Sequence, residues 1–226
     1  MTNGFTARTL ALVAGGSYCI IFIAASFANF YMLESLMADP LTTVRQDAIW
    51  IRAGILAFMI TVVFDVVVAW ALYELFKGHP LTLLSTLFRM MHAAMMGVAI
   101  HALPVVLTLA SADDILQQID IFNSIWLLGL FFFGIHIVLL GCIFSRVGFV
   151  RLFLLVAGVM YMADTVAYFV LPNYEEYASI FLLFVAVPAI VGEMSFAIWL
   201  LVKGGTALLT HVHGDDECPD NVDACG

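Results

Sequence analysis

Six long apolar stretches, separated by short polar connections, make up most of the sequence. They cover residues 10–36, 51–76, 81–110, 121–144, 152–171 and 180–202. A helix that crosses the apolar core of a bilayer needs about 20 mostly apolar residues, and each stretch is long enough. Polar and apolar residues do not alternate along them, as they would in transmembrane strands. The pattern predicts an all-α fold, a polytopic membrane helix bundle with six transmembrane helices in one domain, residues 1–204.

The composition fits the bilayer as the surrounding solvent. Hydrophobic residues make up 64% of the chain and charged residues 11%. In soluble domains about 45–50% of residues are apolar and about 25% are charged. The first stretch is longer than the apolar segment of a secretory signal peptide, about 7–15 residues, so we expect it to be retained as a helix. The formal net charge of −9 argues against a nucleic-acid partner.

The distribution of basic residues predicts the orientation. Lys and Arg near helix ends collect on the cytoplasmic side of a membrane protein. With the N-terminus inside, five basic residues lie on the inner side and only Arg45 and Arg52 lie outside; the five are Arg8, Lys77, Arg146, Arg151 and Lys203. We therefore predict an N-in/C-in protein of the inner (cytoplasmic) membrane.

The last residues form an acidic segment, 205–226, which we predict to be a disordered cytoplasmic tail. It carries His211, His213, Cys218 and Cys225 among its acids. These side chains could bind a soft metal ion, although their spacing matches no standard zinc module. A solvated acidic tail is the favoured interpretation.

Ionisable residues lie near the middle of several apolar stretches, where polar groups are expensive. A charged side chain at the bilayer centre costs at least about 2.5–3.5 kcal/mol, so such residues usually face the bundle interior and often mark a functional site. Tyr161 and Asp164 share one helix face by their i, i+3 spacing. The predicted buried polar network comprises Asp65, Arg89, His136, Tyr161, Asp164 and Glu193.

The charges of this network do not balance. Three acids, Asp65, Asp164 and Glu193, face one arginine, Arg89, which would leave −2 in a medium of low dielectric constant. A bound proton, a protonated histidine, a metal ion or a cationic ligand could neutralise the excess. A metal ion is thus one candidate cofactor, with His136, Asp164 and Glu193 as its ligands, although no HExxH motif supports it.

Three interpretations follow. The protein binds or transports a small ligand, a proton or a cation at its buried polar site. Alternatively, it is an intramembrane metal-dependent enzyme that acts on a lipid-like substrate, or a structural or regulatory membrane protein whose polar residues hold the helices in register. Pro104 predicts a kink near His101, and Pro188 predicts a bend in the sixth helix. Broken helices line transporter sites, but membrane helices in general also carry more proline than soluble ones, and this second interpretation is favoured for each proline alone.

Several segments also resemble a known family. They include "FRMMHAA", "FFFGIHIVLLGCIFSRVGFVRLFLLVAGVMYMADTVAYFVLPNY" and "VPAIVGEMSFAIWLLVKG". In them the chain is similar to a bacterial family of multi-pass membrane proteins described as domain of unknown function 4386. The resemblance implies the six-helix fold and falls on Arg89, His136, Asp164 and Glu193. It implies no activity and does not extend to the acidic tail.

Overall fold

The computed structural model describes residues 5–204, and over this range the chain is helical, with no strand. Helix α1, Ala7–Phe27, continues through a π-helical segment, Ala28–Leu33, into α2, Glu34–Ala38. Short α3, Pro40–Gln46, leads to α4, Ala48–Phe76, and then α5, Thr82–Ile100, with a 3₁₀ extension, Leu103–Thr108. The long helices α6, Ala112–Ile143, α7, Gly148–Val170, and α8, Ala178–Val202, complete the order, and a 3₁₀ turn, Tyr174–Glu176, joins the last two.

Six segments of residues 5–204 are long and apolar enough to cross a membrane, as predicted. They are Ala7–Ala38, Ala48–Phe76, Thr82–Thr108, Ala112–Ile143, Gly148–Val170 and Ala178–Val202. Large apolar side chains such as Ile23, Val63 and Leu183 point outward with 60–68% of their surface exposed, which suits contact with lipid. The protein is a multi-pass integral membrane protein.

The fourth span begins at Ala112, nine residues before the start predicted at 121. The added segment is amphipathic: Asp113, Asp114 and Gln117 are exposed, while Ile115 and Ile119 are buried. Polar residues interrupt this segment, so a search for continuous apolar runs does not include it. The i, i+4 spacing of its buried residues is nevertheless typical of a helix.

The third span is broken as Pro104 predicts. Helix α5 ends at Ile100, His101 lies in the turn that follows, and Pro104 is the second residue of the 3₁₀ helix. His101 is exposed, whereas His92, nine residues earlier, is buried, in agreement with their opposite helix faces. Helix α8, in contrast, runs continuously through Pro188.

The six spans form a closed ring. Each span packs against the next one along the chain, and α8 packs back against α1. The Arg8 guanidinium joins the two ends, because it donates to the carbonyl oxygens of Leu201 at 2.6 Å and Gly204 at 3.0 Å. These carbonyls have no partner within their own helix, so Arg8 acts as a C-terminal cap supplied by another helix. The two ends of residues 5–204 therefore lie on the same side of the membrane.

Two apolar clusters fill the ring, and polar residues lie where they meet. One cluster includes Val68 and Phe133 and lies towards the end of the bundle that holds Arg8, named the inner end. The other includes Phe58 and Phe122 and lies towards the opposite end, named the outer end. On α4, Asp65 falls between Phe58 of one cluster and Val68 of the other. Asp65 and the polar residues that contact it therefore form a layer across the middle of the bundle.

Candidate functional site

Arg89 lies at the centre of this polar layer. Its side chain is only 1% exposed, and it is the largest of the fully buried side chains. Its Nη2 donates to Asp65 Oδ1 at 2.5 Å, and its Nε donates to the Asp65 carbonyl oxygen at 3.3 Å. Helices α4 and α5 thus share an ion pair that cancels one positive and one negative charge, the condition under which buried charges are tolerated.

The other guanidinium nitrogen of Arg89 connects two further helices. Nη1 donates to the Tyr18 hydroxyl on α1 at 2.9 Å and lies 3.2 Å from His136 Nε2 on α6. The Tyr18 and Phe133 rings approach the guanidinium, with centroids 4.9 and 5.3 Å from its carbon. Such contacts stabilise a desolvated cation by about 2 kcal/mol each. Side chains from three other spans therefore hold Arg89 in place.

The hydrogen bonds of His136 assign its tautomer. Arginine can only donate, so His136 Nε2 accepts from Arg89 and carries no proton. The proton of the neutral ring is then on Nδ1, which lies 3.0 Å from the Ser85 carbonyl oxygen and 2.9 Å from Ser85 Oγ. Both ring nitrogens are engaged by protein groups.

His92 faces the second carboxylate oxygen of Asp65. Its Nε2 is 3.7 Å from Asp65 Oδ2, and its ring contacts Phe133 with centroids 4.7 Å apart. Its Nδ1 is buried and has no hydrogen-bond partner within residues 5–204, although it faces the α6 backbone, where a Cβ added at Gly129 would lie 3.4 Å from it. Asp65 thus stands between a permanent cation and a titratable base.

Glu193 occupies a different position in the same layer. Its Oε1 accepts a hydrogen bond of 3.2 Å from the Tyr161 hydroxyl, and its side chain is half-buried. The Tyr161 ring packs edge-on against Phe133, with centroids 5.4 Å apart, which places the pair beside the Arg89 cluster. Arg89 is the cation that acts electrostatically on Glu193, and Asp65 already offsets its charge.

Asp164 lies nearer the outer end, apart from the Arg89 cluster. It is 7% exposed, and its Oδ1 accepts a 2.7 Å hydrogen bond from the Tyr174 hydroxyl. Burial first, and then this bond to a carboxylate, raise the pKa of Tyr174 above its ordinary value, so the phenol remains a neutral donor. The Tyr168 hydroxyl, one turn further along α7, lies 2.8 Å from Ser124 Oγ on α6.

The predicted network therefore divides into three parts: Arg89 with Asp65 and His136, Glu193 with Tyr161, and Asp164 with Tyr174. The predicted metal ligands His136, Asp164 and Glu193 fall into different parts. Within residues 5–204 no group of three or more His, Cys, Asp or Glu side chains is placed to hold a metal ion. The physical reason is that His136 has both nitrogens in hydrogen bonds, while each acid bonds to its own tyrosine. The tail residues His211, His213, Cys218 and Cys225 lie outside the described residues.

Three partners of the network were not predicted: Tyr18, Ser85 and Tyr174. None carries a charge at neutral pH, so none stands out against an apolar helix as an aspartate does. Ser85 lies four residues before Arg89 on α5, and this i, i+4 spacing is the signal that could have placed it on the same face. His92 has the corresponding i, i+3 spacing from Arg89.

The match to known proteins covers all of these residues. The family described as Domain of unknown function (DUF4386) matches residues 13–204. The chain belongs to this family. An uncharacterised protein of Archaeoglobus fulgidus is 29% identical over 155 residues, which are 67% of this chain and 83% of the relative. This relative is archaeal, so the bacterial character expected from the resemblance is not confirmed. No solved structure matches the chain significantly.

Proposed function

We propose that this member of the DUF4386 family is a proton-coupled transporter or proton-translocating protein, and that Glu193 is its proton-binding carboxylate. The observation that carries the proposal is the partner of Glu193: the neutral Tyr161 hydroxyl at 3.2 Å, beside an arginine whose charge Asp65 already offsets at 2.5 Å. An ionised Glu193 leaves the centre with a net charge of −1. Binding a proton removes that charge, the usual response of a buried carboxylate without a cation of its own.

Exchangeable side chains on the outer side of Glu193 support a relay. Along one face of α7, Tyr161, Asp164 and Tyr168 succeed one another towards the outer end, and Tyr174 closes the row with its bond to Asp164. The rise of a helix places the three α7 residues within about 10 Å along its axis. Chains of carboxylates and hydroxyls of this kind carry protons in pumps and transporters.

A second row leads from the centre towards the inner end. His136 contacts Ser85, and a cavity of about 10 Å³ beside them is also lined by Thr82 and Thr86. A cavity of this size has room for about one water molecule, but the atoms that face it are apolar, so the row rests on His136 and Ser85 alone. Arg89 stands between the two rows and keeps its own proton at all accessible pH values.

We place the protein in the cytoplasmic membrane with its N-terminus inside. The support is the excess of basic residues at that end, five against two, by the rule that Lys and Arg remain cytoplasmic. In this orientation the row that ends at Tyr174 faces outward and the Ser85 cavity faces the cytoplasm.

The test is proton flux into sealed vesicles. Purified protein is reconstituted into liposomes that contain a pH-sensitive dye, and a potassium gradient with valinomycin sets a negative interior. We expect wild-type protein to acidify the interior faster than protein-free vesicles, and Glu193→Gln to abolish the difference. Glu175→Gln is the matched control, because Glu175 undergoes the same chemical change but is exposed in the outer turn. Glu193→Gln protein that is folded and as active as wild type would refute the proposal.

A further inference from the structure

His92 is the one buried side chain in residues 5–204 with a nitrogen that lacks a hydrogen-bond partner. It is 4% exposed, so water does not supply the missing partner at its surface. A buried polar atom without a partner costs free energy, and in a native structure it calls for an explanation. The function proposed for Glu193 does not use His92.

Neither neutral form of His92 suits its surroundings. A neutral imidazole has one N–H and one lone pair. With the proton on Nε2, the Nδ1 lone pair faces the backbone of α6 at Gly129; with the proton on Nδ1, the Nε2 lone pair faces Asp65 Oδ2 at 3.7 Å. Only the imidazolium presents a donor in both directions, to the Asp65 carboxylate and to the Gly129 backbone, which is placed to interact with the ring.

The charges around His92 allow this form under one condition. Asp65 faces it from α4, Arg89 from its own helix α5, and neutral His136 from α6. Asp65 and Arg89 cancel, so protonated His92 leaves a net charge of +1 when Glu193 is neutral. When Glu193 is ionised, the charges of Asp65, Arg89, His92 and Glu193 sum to zero.

The centre is therefore neutral in two different states. In one, Glu193 holds a proton and His92 is neutral; in the other, Glu193 is ionised and His92 is an imidazolium. Moving between them breaks an O–H bond at Glu193 and forms an N–H bond at His92, and the number of protons and the net charge stay constant. Low dielectric constant favours both states over those with one charge in excess.

We propose that His92 is a second proton-binding residue and that its protonation is linked to the ionisation of Glu193 through the Arg89–Asp65 pair. The linkage must be reciprocal, as any coupling between two binding equilibria is. Its place in a transport cycle rests on the function proposed above. The linkage itself is a property of the folded protein and can be measured without flux.

The experiment is nitrogen NMR of protein labelled with ¹⁵N-histidine in detergent micelles. The His92 signal is assigned by its loss in His92→Gln, and its imidazolium fraction is followed between about pH 5 and pH 8. A unit charge within about 12 Å, at an effective dielectric constant of about 20, changes an equilibrium about tenfold. We expect the ratio of protonated to neutral His92 at fixed pH to fall by about that factor in Glu193→Gln, and to stay unchanged in Glu175→Gln.

The outcomes separate this inference from the proposed function. Equal His92 titrations in wild type and Glu193→Gln would overturn the linkage, whatever the flux assay gives. A titration that shifts in Glu193→Gln supports the linkage even if wild-type vesicles show no proton flux, in which case only the transport role fails. Size-exclusion profiles and unchanged signals from His101, which is exposed at the end of α5, check that each variant is folded.

Discussion

Replacing Arg89 with methionine tests how the bundle tolerates its central charges. Methionine retains much of the side-chain volume and removes every donor. Asp65 Oδ1 loses its 2.5 Å partner, the Tyr18 hydroxyl loses a donor at 2.9 Å, and His136 Nε2 loses one at 3.2 Å. Asp65 keeps only His92 within reach, at 3.7 Å.

The magnitude follows from these losses. An unpaired buried charge costs about 3–5 kcal/mol. Each of the two neutral groups left without a partner adds about 1 kcal/mol or more. We expect Arg89→Met to lower the free energy of unfolding by about 5–7 kcal/mol.

The assay is reversible unfolding in mixed detergent and SDS micelles, followed by the fluorescence of the four tryptophans. The double variant Asp65→Asn with Arg89→Met removes the stranded charge, so it should recover about 2–3 kcal/mol relative to Arg89→Met alone. A single variant that loses less than about 1.5 kcal/mol, or a double variant that recovers nothing, would refute the reasoning.

Two further predictions concern packing and the outer polar row. Gly134→Ala places a Cβ 2.6 Å from a backbone oxygen of α7. We therefore expect it to force α6 and α7 apart and to lower the free energy of unfolding by about 2–4 kcal/mol in the same assay. Gly97→Ala is the control: a Cβ there meets nothing within 4 Å, so this variant should stabilise the protein by about 0.5–1 kcal/mol. Tyr174→Phe removes the donor to Asp164 and should cost about 1–3 kcal/mol, while Tyr177→Phe, at an exposed tyrosine, should change stability by less than about 0.5 kcal/mol.

The fold could be predicted because the bilayer imposes a strong constraint. Every backbone polar group of a spanning segment must be satisfied within the segment, so a long apolar run is a helix. The boundaries were less certain where the sequence is amphipathic, as at Ile115 and Ile119, whose polar neighbours interrupt the run. The closing of the ring by Arg8 was beyond prediction, because its partners lie some 190 residues away and are backbone carbonyls, which carry no sequence signal.

The candidate site was predicted by residue type but not by partner. An arginine or a carboxylate in an apolar helix is conspicuous, and Arg89, Asp65 and His136 do meet. Asp164 is separate from these residues because it lies at a different depth along its helix. It lies six residues from the outer end of α7, about 9 Å at 1.5 Å per residue, where the turn after the helix brings Tyr174 to it. The charge count of three acids against one arginine treated all of these residues as one site. In the structure they lie at different depths along the helices and form three separate parts.

A fixed cation at the centre of the membrane shapes any proton path through it. At an effective dielectric constant of about 20, a unit charge about 5 Å away opposes an excess proton by about 3 kcal/mol. The Asp65 carboxylate, which pairs with Arg89, lies 3.7 Å from His92 and offsets the opposition there, whereas Glu193 has the neutral Tyr161 hydroxyl as its hydrogen-bond partner. A proton on Glu193 is held as part of a neutral acid and cannot drift past Arg89 as a free charge. The proposed linkage suits alternate occupation of the two residues, because a proton on His92 is balanced by an ionised Glu193, and a proton on Glu193 leaves both residues neutral.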